Sequence, residues 1–216
     1  MPDELLALEA TVTAPVVSFR NPLYAGVQVG LPCPTPATVG GMLAAASGGW
    51  SSVDPGLGFA MTFRTGGTGE DLETYHPLPA DGKKADATPR LRAFLTDVEL
   101  TVWLCADVDG WERRLRRPVW PLRLGRSQDL VGIRTRRVRL RPGPGRQGTA
   151  VVPGAVSTYG TRLRLPTAVS LDRSRTRWDE YRYDATGIAG EIESPWHDER
   201  GRAVLPLPSP HPDHAR

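Results

Sequence analysis

From Asp97 to Ala106 the chain alternates without a break. Val98, Leu100, Val102, Leu104 and Ala106 fall on one side, and Asp97, Glu99, Thr101 and Trp103 on the other. A period of two sustained over this length predicts a strand with one buried face. The same period runs through Leu6, Leu8, Ala10 and Val12, with Glu9, Thr11 and Thr13 opposite, and through Leu57, Phe59, Met61 and Phe63. Between those two strands lies a helix with legible ends. Thr35 is its N-cap, Pro36 its first residue, Val39, Met42, Leu43 and Ala46 its apolar stripe, and Gly48-Gly49 its stop. A second, short helix follows the 97–106 strand. Asp109 and Glu112 have capping-pair spacing, Trp111 and Leu115 share a face, and Pro118 ends it. The order strand, helix, strand, further strand material, helix, strand predicts an α+β fold. Its plan is a ferredoxin-like, RRM-type βαββαβ domain with additional C-terminal strands, over residues 1–187.

Two stretches read as excursions from that plan. Residues 65–96 pass through Tyr75-His76-Pro77, reach a polar tip at Asp81-Gly82-Lys83-Lys84 and return through Arg90, Arg92 and Phe94. Strand-like arms around an Asp-Gly tip predict a projecting hairpin, a thumb. In residues 131–141, Arg134 and Arg136 have one parity while Arg137, Arg139 and Arg141 have the other. A bulge near Arg136-Arg137 would return all five to one face. Residues 188–216 form a proline-rich tail; Leu205 to Pro212 has no core pattern and is expected to be disordered.

Charge narrows the function. Residues 1–109 carry 6 basic and 13 acidic side chains, residues 110–182 carry 18 and 5, and residues 183–216 carry 3 and 6. All 18 cations of the middle block are arginines. G+C-rich coding explains arginine in place of lysine but not the clustering. The block is either the footprint of a polyanion partner or a solvated charged face. The acidic start Met-Pro-Asp-Glu is not that of a signal peptide, and no apolar run reaches the roughly 20 residues of a membrane span, so a cytoplasmic protein is expected.

Catalytic constellations are thin. The sequence holds no H-E-x-x-H, G-x-S-x-G or phosphate-loop motif. Cys33 and Cys105 read as small packing residues, and His211 and His214 make a poor metal site, so no metal or cofactor is expected. Gly40-Gly41 inside a helix costs roughly 1 kcal/mol per glycine relative to alanine. That cost implies close approach, either by another element of the chain or by a phosphate near the helix N-terminus.

The run Ala14-Pro-Val-Val-Ser-Phe-Arg-Asn-Pro22, then Gln28, then Leu31 to Ala45, resembles the N-terminal signature of the Cas-five family. These are CRISPR-associated subunits of the Cascade surveillance complex, within the RAMP superfamily. Tyr75-His76 and Arg92-Ala-Phe-Leu95 resemble the arms of the family's thumb. Pro121-Leu-Arg-Leu-Gly-Arg-Ser-Gln-Asp-Leu130 resembles its Leu-Gly-Arg loop, and Tyr159 to Tyr183 its closing strands. The tail from Ile188 onward has no counterpart, and the thumb is short. The Ser-Phe-Arg-x-Pro and Leu-Gly-Arg runs lean towards type I-B or a relative.

The resemblance implies a non-catalytic subunit that caps the repeat-derived 5′ handle of the guide RNA (crRNA). It also implies contact with the helical backbone subunit and the large subunit; contact with target DNA near the protospacer-adjacent motif is left open. Arginine suits such a handle because its planar fork binds phosphate bidentately and stacks on bases. Arg126, Arg134, Arg136 and Arg137 are the phosphate candidates. Ser18, Phe19, Arg20 and Gln28 are candidates for reading or stacking on bases, with core packing as the alternative for Phe19. His76, Lys83, Lys84 and Arg90 are the thumb candidates, and Arg139 and Arg141 are assigned to solvent. Two other readings stand beside this one. One is a metal-free endoribonuclease, as in one branch of the family, using Tyr24 or Tyr75 with His76; the Lys-His pair of that branch is absent. The other is a basic protein-interaction module.

Overall fold

The computed structural model describes residues 4–24, 29–75 and 88–215. The elements are β1 (Leu5–Val17), α1 (Pro36–Ser47), β2 (Ala60–Arg64), β3 (Gly67–Tyr75), β4 (Thr88–Leu104), α2 (Val108–Arg116) and β5 (Gly132–Pro142). There follow β6 (Gly145–Arg146), β7 (Val152–Pro153), β8 (Thr161–Val169), β9 (Thr176–Tyr183), β10 (Glu191–Ile192), β11 (Trp196–His197) and β12 (Ala203–Val204).

The main sheet has the order β12-β11-β5-β1-β4-β2, with β3 also on β4, and every pairing in it is antiparallel. α1 connects β1 to β2 across the intervening β4, and α2 connects β4 to β5 across β1. The alternation explains which face the helices cover. Leu8, Ala10 and Val12 of β1, Val98, Leu100, Val102 and Leu104 of β4, and Met61 and Phe63 of β2 form one cluster with Val39, Met42 and Leu43 of α1 and Trp111 and Leu115 of α2. Leu6, the first residue of that stripe, is instead 47% exposed. β7, β9 and β8 form a second sheet, which adds Leu165, Tyr181 and Tyr183 to the same core.

α1 begins and ends where its sequence places it. Thr35 Oγ1 accepts from the Thr38 N–H at 3.1 Å, Pro36 opens the helix, and Gly48 closes it in the left-handed region at φ 89°. For α2 the cap lies two residues earlier than the Asp109/Glu112 spacing predicts. Asp107 is the N-cap and accepts from the Gly110 N–H at 3.2 Å. Asp109 and Glu112 are left to face β5.

The thumb is an extension of the sheet. β2 and β3 face β4 in one register, Arg64 opposite Glu99 and Gly67 opposite Thr96, with a bend at Gly66 where Asp97 takes φ 49°. β1 accompanies β4 only from Leu104 to Leu95, so the arms beyond it project. The tip lies outside the described residues, and with it His76, Lys83 and Lys84; Gln28 is outside them too.

Two expectations are overturned. No bulge interrupts β5: it pairs with β1 from Leu5–Leu140 to Thr13–Gly132 in a single register. The arginines therefore occupy both faces, because carboxylates await them on both. The tail is not disordered. Leu207 joins the core and its N–H donates to the Phe59 carbonyl at 2.9 Å. His211 meets Trp50 edge-on at 5.4 Å between centroids, and its Nε2 lies 3.3 Å from the Trp50 carbonyl. A proline-rich segment needs no hydrogen-bond ladder of its own, so it packs without showing any period. It also explains Gly40, where a Cβ would lie 2.5 Å from Pro210 Cγ. The close approach at that glycine is by the tail.

Candidate nucleic-acid interface

β1 runs directly into Ser18-Phe19-Arg20, and the structure fixes this segment from below. The Ser18 N–H donates to Asp129 Oδ2 at 3.0 Å, and Ser18 Oγ donates to the Ala93 carbonyl at 2.8 Å. Phe19 is buried edge-on against Phe63, with centroids 5.7 Å apart. Ser18 and Phe19 are both buried, Phe19 packing in the core as its alternative reading has it. Arg20 is exposed, its backbone bridged to Gly30, and its side chain has no polar partner among the described residues.

Asp129 joins this segment to the Leu-Gly-Arg loop. Its carboxylate accepts from the N–H of Ser18, the N–H of Arg126 at 3.0 Å and Arg126 Nη2 at 3.1 Å. Gly125 makes the turn possible: its φ is +111°, and a Cβ there would stand 2.8 Å from the Ser18 carbonyl. Arg126 also reaches Glu73 of β3 at 3.5 Å, and Arg92 of β4 pairs with Asp71 and, at 3.2 Å, with Glu73. This network straps the thumb to the loop. Arg126, expected on a phosphate, is spent on carboxylates and positions the loop. Arg90, farther out on β4, is exposed and unpaired among the described residues.

The expected arginine strand divides between two faces. Arg137 lies on the helix side, 2.7 Å from both Asp109 and Glu112, whose carboxylates raise its pKa. Arg136 lies on the opposite, open face, with Nε 2.7 Å from buried Glu9 and Nη1 2.7 Å from Glu199. Those hydrogen bonds push its pKa further up. Arg139 and Arg141 are solvent-exposed beside Glu4, as assigned. Of the four phosphate candidates only Arg134, on the open face, has no polar partner among the described residues.

That open face contains two clefts of about 390 and 380 Å³. Trp103 is buried at one end, under Val204 and Arg202, whose guanidinium sits 4.7 Å from the indole centroid. Arg146 and Arg200 line the clefts, exposed and unpaired among the described residues, and sequence reasoning missed both. Arg200 sits in the net-acidic last segment, so regional charge counting conceals it. Only the return of the chain over β1 and β4 brings it to the face.

The family profile described as CRISPR-associated protein (Cas_Cas5) matches residues 7–190. The chain belongs to the Cas5 family. The fold is also shared with solved structures of low identity. A chain of a "CRISPR RNA-guided surveillance complex" is 19% identical with a TM-score of 0.54, covering 94% of each chain. A chain of a Type III-B Cmr-beta complex bound to cognate target RNA and AMPPnP is 8% identical with a TM-score of 0.55, covering 86% of each. A CRISPR protein from Archaeoglobus fulgidus is 12% identical with a TM-score of 0.52, covering 94% of this chain and all of that one. No curated protein matches. The Cas5 profile ends at residue 190, so the docked tail lies beyond the matched part. No helix among the described residues is long and apolar enough to cross a membrane.

Proposed function

We propose that this Cas5 protein is a subunit of a CRISPR RNA-guided surveillance complex and caps the repeat-derived 5′ handle of the guide RNA without cleaving it. The observation that carries this reading is the junction at the thumb base. The Ser18–Arg20 segment and the Gly125–Asp129 loop are locked on one carboxylate; Arg20, and Arg90 opposite Glu73 in the thumb, stand exposed with no ion pair among the described residues. A rigid base presenting unneutralised guanidinium groups suits a single strand held by its phosphates. The two crossovers over an antiparallel β5-β1-β4-β2 core support the ferredoxin-like plan of an RNA-recognition domain. The loop from 119 to 130 exposes Val119, Trp120 and Leu130, apolar area suited to the backbone and large subunits. The place of action on this reading is the cytoplasm, with the guide RNA.

Fluorescence anisotropy with 5′-handle RNA tests it. The Arg20→Ala/Arg90→Ala variant is expected to bind more weakly, with a slope of log K against log salt shallower by about 1.4, from about 0.7 per lost phosphate contact. Equal affinity and slope with an unchanged melting temperature overturn the junction as the site. Repeat RNA incubated with the protein in EDTA is expected to stay intact; products that disappear with Tyr24→Phe or His76→Ala would establish a nuclease instead.

A further inference from the structure

The open face of the sheet is built in rows. Thr62, Thr101, Thr11 and Arg134 face one another across β2, β4, β1 and β5, and Arg64, Glu99 and Thr13 form the next row. Four adjacent strands span about 14 Å at roughly 4.8 Å per step. The chain from β6 to β12 walls this floor, with Arg146 and Arg200 on the lining. The local carboxylates are already engaged. Glu99 accepts from Arg64 at 2.9 Å, Glu9 from Arg136 and Arg202, and Asp198 from Arg202 at 2.7 Å. Arg134, Arg146 and Arg200 are left as charges with no counterion among the described residues.

We infer that this cleft is a second anion track, separate from the thumb-base junction, that takes the phosphodiester backbone of a single-stranded nucleic acid. The floor decides between a nucleic acid and an acidic protein. A protein interface is anchored by aromatic or aliphatic side chains in its desolvated centre. Here the centre is threonine side chains, Thr62 and Thr101 buried and Thr11 half-buried; Trp103 is fully buried beneath Arg202, and Trp196 packs half-buried beside it at the far end of the face. Exposed guanidinium forks over a polar floor are donors for phosphate oxygens. With no exposed aromatic platform in these rows, the track reads backbone and not base.

The test compares wild-type protein with Arg134→Ala/Arg146→Ala/Arg200→Ala, using a labelled uridine oligoribonucleotide without handle sequence, the matching thymidine oligodeoxyribonucleotide and unlabelled polyglutamate as competitor. Arg139→Ala/Arg141→Ala is the control for lost charge alone. Expected is a weaker triple variant whose salt slope is shallower by about 2, with the control keeping the wild-type slope. Loss on RNA alone would assign the track to guide or target RNA; loss on both would assign the shared backbone. Unchanged affinity and slope in a triple variant of wild-type melting temperature overturn the inference, as does polyglutamate displacing the oligonucleotides at equal charge. Handle preference over the uridine oligonucleotide is carried by Arg20 and Arg90. It is expected to survive in the triple variant, so failure of the track and failure of the capping reading are separate results.

Discussion

Gly40 and Gly41 are neighbours in α1 with opposite surroundings, and they measure whether the tail is seated on the helix. A Cβ at Gly41 meets nothing within 4 Å. Alanine there gains the helix-propensity difference, about 1 kcal/mol, which raises the melting temperature of a domain this size by roughly 2–4 °C. A Cβ at Gly40 would lie 2.5 and 2.6 Å from Pro210 Cγ and Cβ and 3.0 Å from Trp50. A proline ring cannot rotate out of the way, so the tail or the indole must shift, at an overpacking cost of about 1–3 kcal/mol. Set against the same gain of about 1 kcal/mol, Gly40→Ala is expected to be neutral or to destabilise by up to about 2 kcal/mol. Thermal unfolding followed by circular dichroism measures both variants. Repeating the pair in a chain ending at Pro208 removes Pro210, and there Gly40→Ala is expected to recover most of its propensity gain. If Gly40→Ala stabilises the full chain as much as Gly41→Ala does, the tail does not lie on α1 and the packing argument fails.

Other outcomes follow from single groups. Asp129→Asn keeps an acceptor for Ser18 but leaves Arg126 with only the more distant Glu73, so a loss of about 3 kcal/mol is expected in urea unfolding, together with weaker handle binding. Asp172, held at about 2 by the Ser170 and Ser174 hydroxyls, and Asp184, lowered by the Thr186 hydroxyl, lie below their unfolded values. The stability each contributes is therefore present above its unfolded value, about 4, and lost as the pH falls below it, for Asp172 towards about 2. Asp184→Asn is expected to flatten that part of a stability-against-pH curve. Burial pushes the Cys33 thiol up, and Cys105 up to about 11, so neither is expected to react with a maleimide at pH 7 until the protein is unfolded.

What was legible in the sequence was local. Thr35, Pro36 and Gly48 announce α1 because a cap, a first-turn proline and a left-handed stop act within a few residues of themselves. The alternation in 97–106 identified two faces but not that both are covered at Trp103, since the cover comes from Val204 and Arg202. The arginine strand was misjudged for the same reason. Like charges seemed to need one common face, whereas Arg136 finds Glu9 at a separation of 127 residues and Arg137 finds Glu112 at 25. No period or spacing encodes such partners.

The family motif teaches a related point about site residues. Ser18 and Asp129 stand in the two most recognisable runs, and Ser18, read singly, invites a role on the ligand. In the structure they satisfy each other, and Gly125 is required because the Ser18 carbonyl leaves no room for a side chain. A signature of this kind records an architecture that must be held to fractions of an ångström, while the groups left for a ligand stand beside it. Arg20 is such a group, carried on the one residue of Ser-Phe-Arg that the packing does not consume. A close resemblance therefore locates the site well and assigns its contacts poorly, and the decisive criterion is physical: which cations, after every carboxylate has chosen a partner, remain unneutralised.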